Sequence, residues 1–136
     1  MIMSAINLYN RLIRQNRMIY GLASVLFMCA LLYLGGREQA VHALPTPIEN
    51  MDKVYHFMAF SFLACLTWLF FKGRKTWGVI ALVGLAGFID ETHQAVLTFR
   101  TADIMDWTTD VGAACFAVAV LTHLRSRFEP VLIQQS

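Results

Sequence analysis

Between Met18 and Gly36 the chain runs for 19 residues without a charged side chain. At ~1.5 Å per residue a helix of that length nearly covers the ~30 Å hydrocarbon layer of a bilayer. The rest of the composition agrees. Hydrophobic residues make up 57% and charged residues 15%, against roughly 45–50% and about 25% in an ordinary soluble domain. Mean hydropathy is +0.54. Disorder, collagen and coiled coil are excluded, and 136 residues leave room for one domain at most. A net charge of +2 with no basic block argues against a nucleic-acid partner.

Three further apolar runs follow. Residues 54–71 are interrupted by His56 near their start. A third run is apolar from Trp77 to Ile89 and continues through a polar patch to Phe99. The fourth, from Ile104 to Leu124, carries Asp106 and Asp110 in its first two turns. The expected fold is all-α: a polytopic membrane protein built as a bundle of four transmembrane helices. The spans occupy residues 18–124, between an N-terminal segment, 1–17, and a tail, 125–136. Within Ser4 to Arg17 the apolar residues Ile6, Leu8, Tyr9, Leu12 and Ile13 suit either a surface-lying amphipathic helix or an extension of span one.

Eight of the 11 basic residues lie before span one, between spans two and three, or after span four. By the positive-inside rule both termini are then cytoplasmic. Arg11, Arg14, Arg17 and Val41-His42-Ala43 loosely match a cleaved leader. The apolar stretch exceeds the usual ~7–15 residues, so it is read as a span. The segment from Arg37 to Lys53 becomes the one sizeable outer loop, and Pro45 and Pro47 predict an extended path through it.

The acids carry the opposite bias. Eight of nine fall on the outer side, and only Glu129 lies inside. Acidic residues hardly influence insertion, so topology does not require this. The apolar parts of spans three and four are short at their outer ends, and carboxylates fill the missing length. A charge facing lipid there costs at least ~2.5–3.5 kcal/mol, so these side chains must face one another or a wet crevice. At ~100° per residue Asp90, Glu91 and Gln94 share an arc of about 100°, and Asp103, Asp106 and Asp110 one of about 60°. Asp52 and His56 share a face at i and i+4. Small residues continue these stripes inward (Ala86 and Gly87; Ala114 and Ala117), which predicts close packing beneath the polar group. Arg100 lies between spans three and four, where its fork can hold carboxylate or phosphate. Lys53 adds a second cation.

In order, Asp52-Lys53-x-x-His56-Phe57-x-x-Phe60, Glu91-x-x-Gln94 and Arg100-x-x-Asp103-x-x-Asp106-x-x-x-Asp110-x-Gly112 resemble the VanZ-like family. These are small bacterial membrane proteins named after a teicoplanin-resistance accessory protein. The resemblance covers about residues 18–124. It implies a multi-pass protein of the bacterial inner membrane and a cell-envelope setting, with a link to glycopeptide resistance, more than a defined reaction. The family usually has Asn where this chain has Asp110.

The polar residues therefore form an expected outward pocket that binds or modifies a lipid-linked or peptidoglycan-related headgroup. His56, Asp52, Glu91 and Asp106 are the candidate catalytic groups, with His56 and Asp52 paired as a base. Lys53, Gln94, Arg100, Asp103 and Asp110 are the candidate binding groups. Expected partners are membrane lipids or a lipid-linked envelope precursor. No metal ligand is assigned, although His56, Glu91, Asp103, Asp106 and Asp110 would suit a divalent cation. Whether the protein is an enzyme stays open. The alternatives are a non-catalytic scaffold or partner-binding protein of an envelope assembly, and an ion- or proton-coupled transporter, disfavoured because the inner halves of spans three and four carry no ionisable group except His123. Asp90 is read as a supporting residue and His93 as lipid-facing. Cys29, Cys65 and Cys115 are read as buried packing residues, and Trp68, Trp77 and Trp107 as interfacial anchors.

Overall fold

The computed structural model describes residues 17–45 and 51–133. All regular structure among them is helical. The elements are α1 (Arg17–Gly35), α2 (Glu38–His42), α3 (Met51–Phe70), α4 (Thr76–Ala95) and α5 (Ile104–Ile133). The expected fold class holds: four long helices form a bundle, with the short α2 across one end. The N-terminal segment before Arg17 lies outside the described residues. So do Pro47 and Glu49.

Each long helix follows one apolar run. α1, α3 and the Ile104–Arg127 part of α5 are long and apolar enough to cross a membrane. α4 has the length, 20 residues, but its last two turns hold Asp90, Glu91, His93 and Gln94. α4 ends at Ala95, so the expected run to Phe99 stops a turn early. Its carbonyls are closed by Val96 N–H to His93 O at 3.3 Å and Leu97 N–H to Gln94 O at 3.0 Å. α5 does the reverse and continues past Leu124 to Ile133. At ~1.5 Å per residue its 30 residues are longer than the bilayer core is thick.

The core joins three helices. Phe60, Leu63, Ala64 and Trp68 of α3 meet Val79 and Val83 of α4 and Ala113, Ala114, Ala117 and Val118 of α5. The alanines of α5 present almost no side chain, which lets α3 and α4 approach its backbone. At Gly84 and Gly87 of α4 the approach is closer still. A Cβ on Gly87 would lie 2.7 Å from Asp110 Oδ2. The Trp107 indole N–H donates to Gly84 O at 3.0 Å and ties α5 to α4. α1 packs mainly on α3 and buries no residue. Leu22, Phe62, Leu85, Phe88 and Phe116 stand on the outer surface, each more than half exposed. That surface suits hydrocarbon, not water.

α3 turns into α4 through two residues with positive φ, Lys72 (53°) and Gly73 (67°). Gly73 N–H donates to Trp68 O and Lys72 N–H to Leu69 O, each at 3.0 Å, which closes the helix as a Schellman motif. A Cβ at Gly73 would sit 2.5 Å from the Trp68 ring and 2.8 Å from Arg125 Nη1, so only glycine fits there.

Several expectations are corrected. The Arg37–Lys53 segment is not extended throughout: α2 forms before Pro45, and α3 already starts at Met51. Prolines restrict the chain only at and just before themselves, so Glu38–His42 was free to coil. Trp68 is a core residue at 1% exposure, and Trp107 is partly buried on its hydrogen bond. Of the three tryptophans only Trp77 is fully displayed, at 82%. Cys29 and Cys115 are exposed and Cys65 is half-buried, all as free thiols.

Candidate functional site

The antiparallel order of the helices brings the end of α1, the start of α3, the end of α4 and the start of α5 to one end of the bundle. The acidic stripes of α3, α4 and α5 meet there. The opposite end holds Lys72, Arg74 and Lys75 in the α3–α4 turn, beside Arg125 of α5. Arg125 Nη1 donates to Lys72 O at 3.0 Å and Gly73 O at 2.8 Å.

The acidic end contains two linked clusters. In the first, Lys53 Nζ donates to Asp106 Oδ1 at 2.7 Å and Asp103 Oδ2 at 2.9 Å. Its third carboxylate, Asp52, is 3.9 Å away and half exposed. Lys53 therefore clamps the start of α3 to the start of α5. Asp103 Oδ1 also accepts Met105 N–H at 2.9 Å, an N-terminal cap for α5. The ammonium and this N–H hold the Asp103 carboxyl below its ordinary range. The stability this contributes is complete above the ordinary carboxylate range and fades as pH falls through the lowered value.

The second cluster is buried. His56 Nδ1 lies 3.0 Å from Asp110 Oδ1, and the Asp110 side chain has no exposed surface. With Asp110 ionised, Nδ1 carries the proton, so Nε2 is left to accept a proton or a cation. Ligand-type atoms of His56, Asp90 and Glu91 lie within 4.8 Å of one another. Gln94 Nε2 donates to Asp90 Oδ2 at 2.8 Å. Its carbonyl accepts from Arg100 Nη2 at 2.6 Å and Nε at 3.1 Å. Asp103 N–H donates to Glu91 Oε2 at 2.8 Å and joins the two clusters.

Beside the second cluster is a cavity of about 520 Å³. Asp52, His56, Asp90, Gln94 and Arg100 line one side. Leu31 and Leu34 of α1, Val41 of α2, and Ala59 and Phe60 of α3 are among its apolar walls. One wall is thus polar and the other suited to hydrocarbon.

The candidate residues divide accordingly. Asp52, His56, Gln94 and Arg100 face the cavity. Glu91 and Asp110 stand behind it, against His56. Lys53, Asp103 and Asp106 engage one another and do not line it. Three expectations change. The carboxylate partner of His56 is Asp110 on α5, not Asp52 four residues earlier. Lys53 is shared between Asp103 and Asp106 and adds no free cation to the pocket. Arg100 pairs with the neutral Gln94 oxygen, not with carboxylates. Asp90, read as a supporting residue, is 6% exposed and lines the cavity. His93 packs its ring against Gly36 at the end of α1, and its Nδ1 has no partner. The polar arc of α4 already contained Asp90, so that signal was present in the helical spacing.

The model of the VanZ/LLP1 family matches residues 4–125. No curated protein and no solved structure matches the chain. The fold, its apolar helices and the ordered motifs at the acidic end agree with the family match, and the chain belongs to the VanZ/LLP1 family of membrane proteins.

Proposed function

We propose that this is a cell-envelope protein of the bacterial cytoplasmic membrane, with both termini inside, whose outward cavity binds an anionic lipid-linked headgroup. Arg100 carries the reading. Among the described residues it has no carboxylate partner, and only two of its N–H groups are engaged, both by Gln94. The rest of its fork and its full charge remain for an anion. The facing walls from α1 and α2 are apolar, which fits a ligand with a hydrocarbon part. The basic opposite end supports the orientation through the positive-inside rule. His56, held by Asp110, is the group best placed to move a proton should the headgroup be altered.

The test is lipid retention. Native mass spectrometry of the purified protein should find phosphate-bearing lipid on the wild-type chain. Arg100→Ala should lose at least about tenfold in occupancy, the ~1.4 kcal/mol or more expected of a charge-assisted contact. Arg100→Lys should keep part of it. Equal occupancy in wild type and Arg100→Ala would end the proposal.

One observation favours a scaffold instead. α1 buries no residue, and between it, α3 and α4 lies a second, almost wholly apolar cavity of about 540 Å³. Co-purification of one stoichiometric membrane partner, lost on substitutions along α1, would favour that reading.

A further inference from the structure

The buried acids at the polar end are not all neutralised. Lys53 serves Asp103 and Asp106. The His56 ring faces Asp110. Among the described residues no Lys or Arg pairs with Asp90 or Glu91. Their partners are a neutral amide and a backbone N–H. Both are more than nine-tenths buried, at 6% and 8% exposure. Glu91 Oε1 has no hydrogen-bond partner at all. An uncompensated buried carboxylate is costly, and two neighbouring ones more so, unless a proton or a cation joins them.

The surroundings favour a cation. His56, Asp90 and Glu91 each offer a ligand atom, all within 4.8 Å of one another. Ligands bound to one ion at ~2.0–2.2 Å lie roughly 3–4 Å apart, so a small contraction completes the set. The Nδ1 of His56 is held by Asp110, which fixes the ring and directs Nε2 away from that carboxylate. This is the usual way a carboxylate orients a metal-binding histidine. Arg100, the nearby guanidinium, is turned to Gln94 and leaves the pair of acids unneutralised.

We propose that His56, Asp90 and Glu91 form a site for one divalent transition-metal cation, of the Zn²⁺ or Mn²⁺ class, with Asp110 orienting the histidine. One imidazole and two carboxylates suit these ions better than Ca²⁺ or Mg²⁺, which take all-oxygen sets. The set differs from the five-residue group suggested by the sequence: Asp103 and Asp106 belong to Lys53, and Asp110 acts through His56. The proposal does not rest on headgroup binding.

The experiment uses the full-length protein in detergent, stripped with a chelator and reloaded with Zn²⁺ or Mn²⁺. Elemental analysis should find about one ion per chain, and Tm should rise with metal concentration. Asp90→Asn and Glu91→Gln keep the side-chain shape and remove one charge each. Each should weaken metal binding at least about tenfold and shift the metal-dependent rise in Tm to correspondingly higher metal concentration. Should a variant not fold, the wild-type titration decides, together with Co²⁺ loading, which should give a visible absorption band. A wild-type chain that takes up neither ion in stoichiometric amount would overturn the proposal. So would undiminished binding in both folded variants.

Discussion

The contact between His56 and Asp110 depends on an absence of atoms at Gly87. Asp110 lies so close to α4 that any side chain there meets its carboxylate. Gly87→Ala should therefore push Asp110 off the histidine. Overpacking of this kind costs about 1–3 kcal/mol, which a lowered Tm in detergent would register. Headgroup retention should fall with it, while Gly84→Ala, whose Cβ would lie at an ordinary 3.4 Å from Val111, should be much milder. At this scale the sequence was half legible. Helical spacing put Asp106 and Asp110 on one face and Asp90, Glu91 and Gln94 on another, and both arcs meet at one end. Which acid would serve which base was not legible. The i, i+4 rule sees only neighbours on one helix, so it paired His56 with Asp52. The actual partner comes from α5, and the rotation of one helix against another fixes it. The same limit applies to Lys53, whose nearest acid in sequence is the weakest of its three contacts.

Helix ends were less legible than helix centres, for a physical reason. The apolar run marks where a helix lies in hydrocarbon, but backbone hydrogen bonds stop only where the chain turns. α5 meets no breaker at Leu124 and continues. α4 stops a turn before Phe99 as the chain swings toward Arg100. The α3–α4 turn is the sharpest stop, because Lys72 and Gly73 both take left-handed backbone conformations. Lys72→Gly should stabilise the protein by roughly 0.5–1 kcal/mol, since lysine takes that conformation at a cost and glycine does not. Gly73→Ala should do the opposite, and by more, because its Cβ also strikes the Trp68 ring. Thermal unfolding of both variants measures the pair, and a destabilised Lys72→Gly would contradict this account of the turn.

The whole molecule is polarised along its axis. Acids and the cavity occupy one end, and basic residues and the tight turn occupy the other. The family relation and the four-helix plan were readable from hydropathy and ordered motifs, because both depend on burial in lipid and on residues near span ends. The polar side of the cavity was readable, but its apolar side was not, since that side comes largely from α1 and α2, whose residues carry no chemical signature. The central claim is that this cavity opens outward and holds an anionic headgroup against Arg100. In a cysteine-free background, Ala40→Cys places a thiol in the wall of the cavity. A membrane-impermeant thiol reagent applied to whole cells should label it, slowly in the wild-type pocket and severalfold faster when Arg100→Ala is added. Labelling only after the cells are opened, or a rate indifferent to Arg100, would contradict the account.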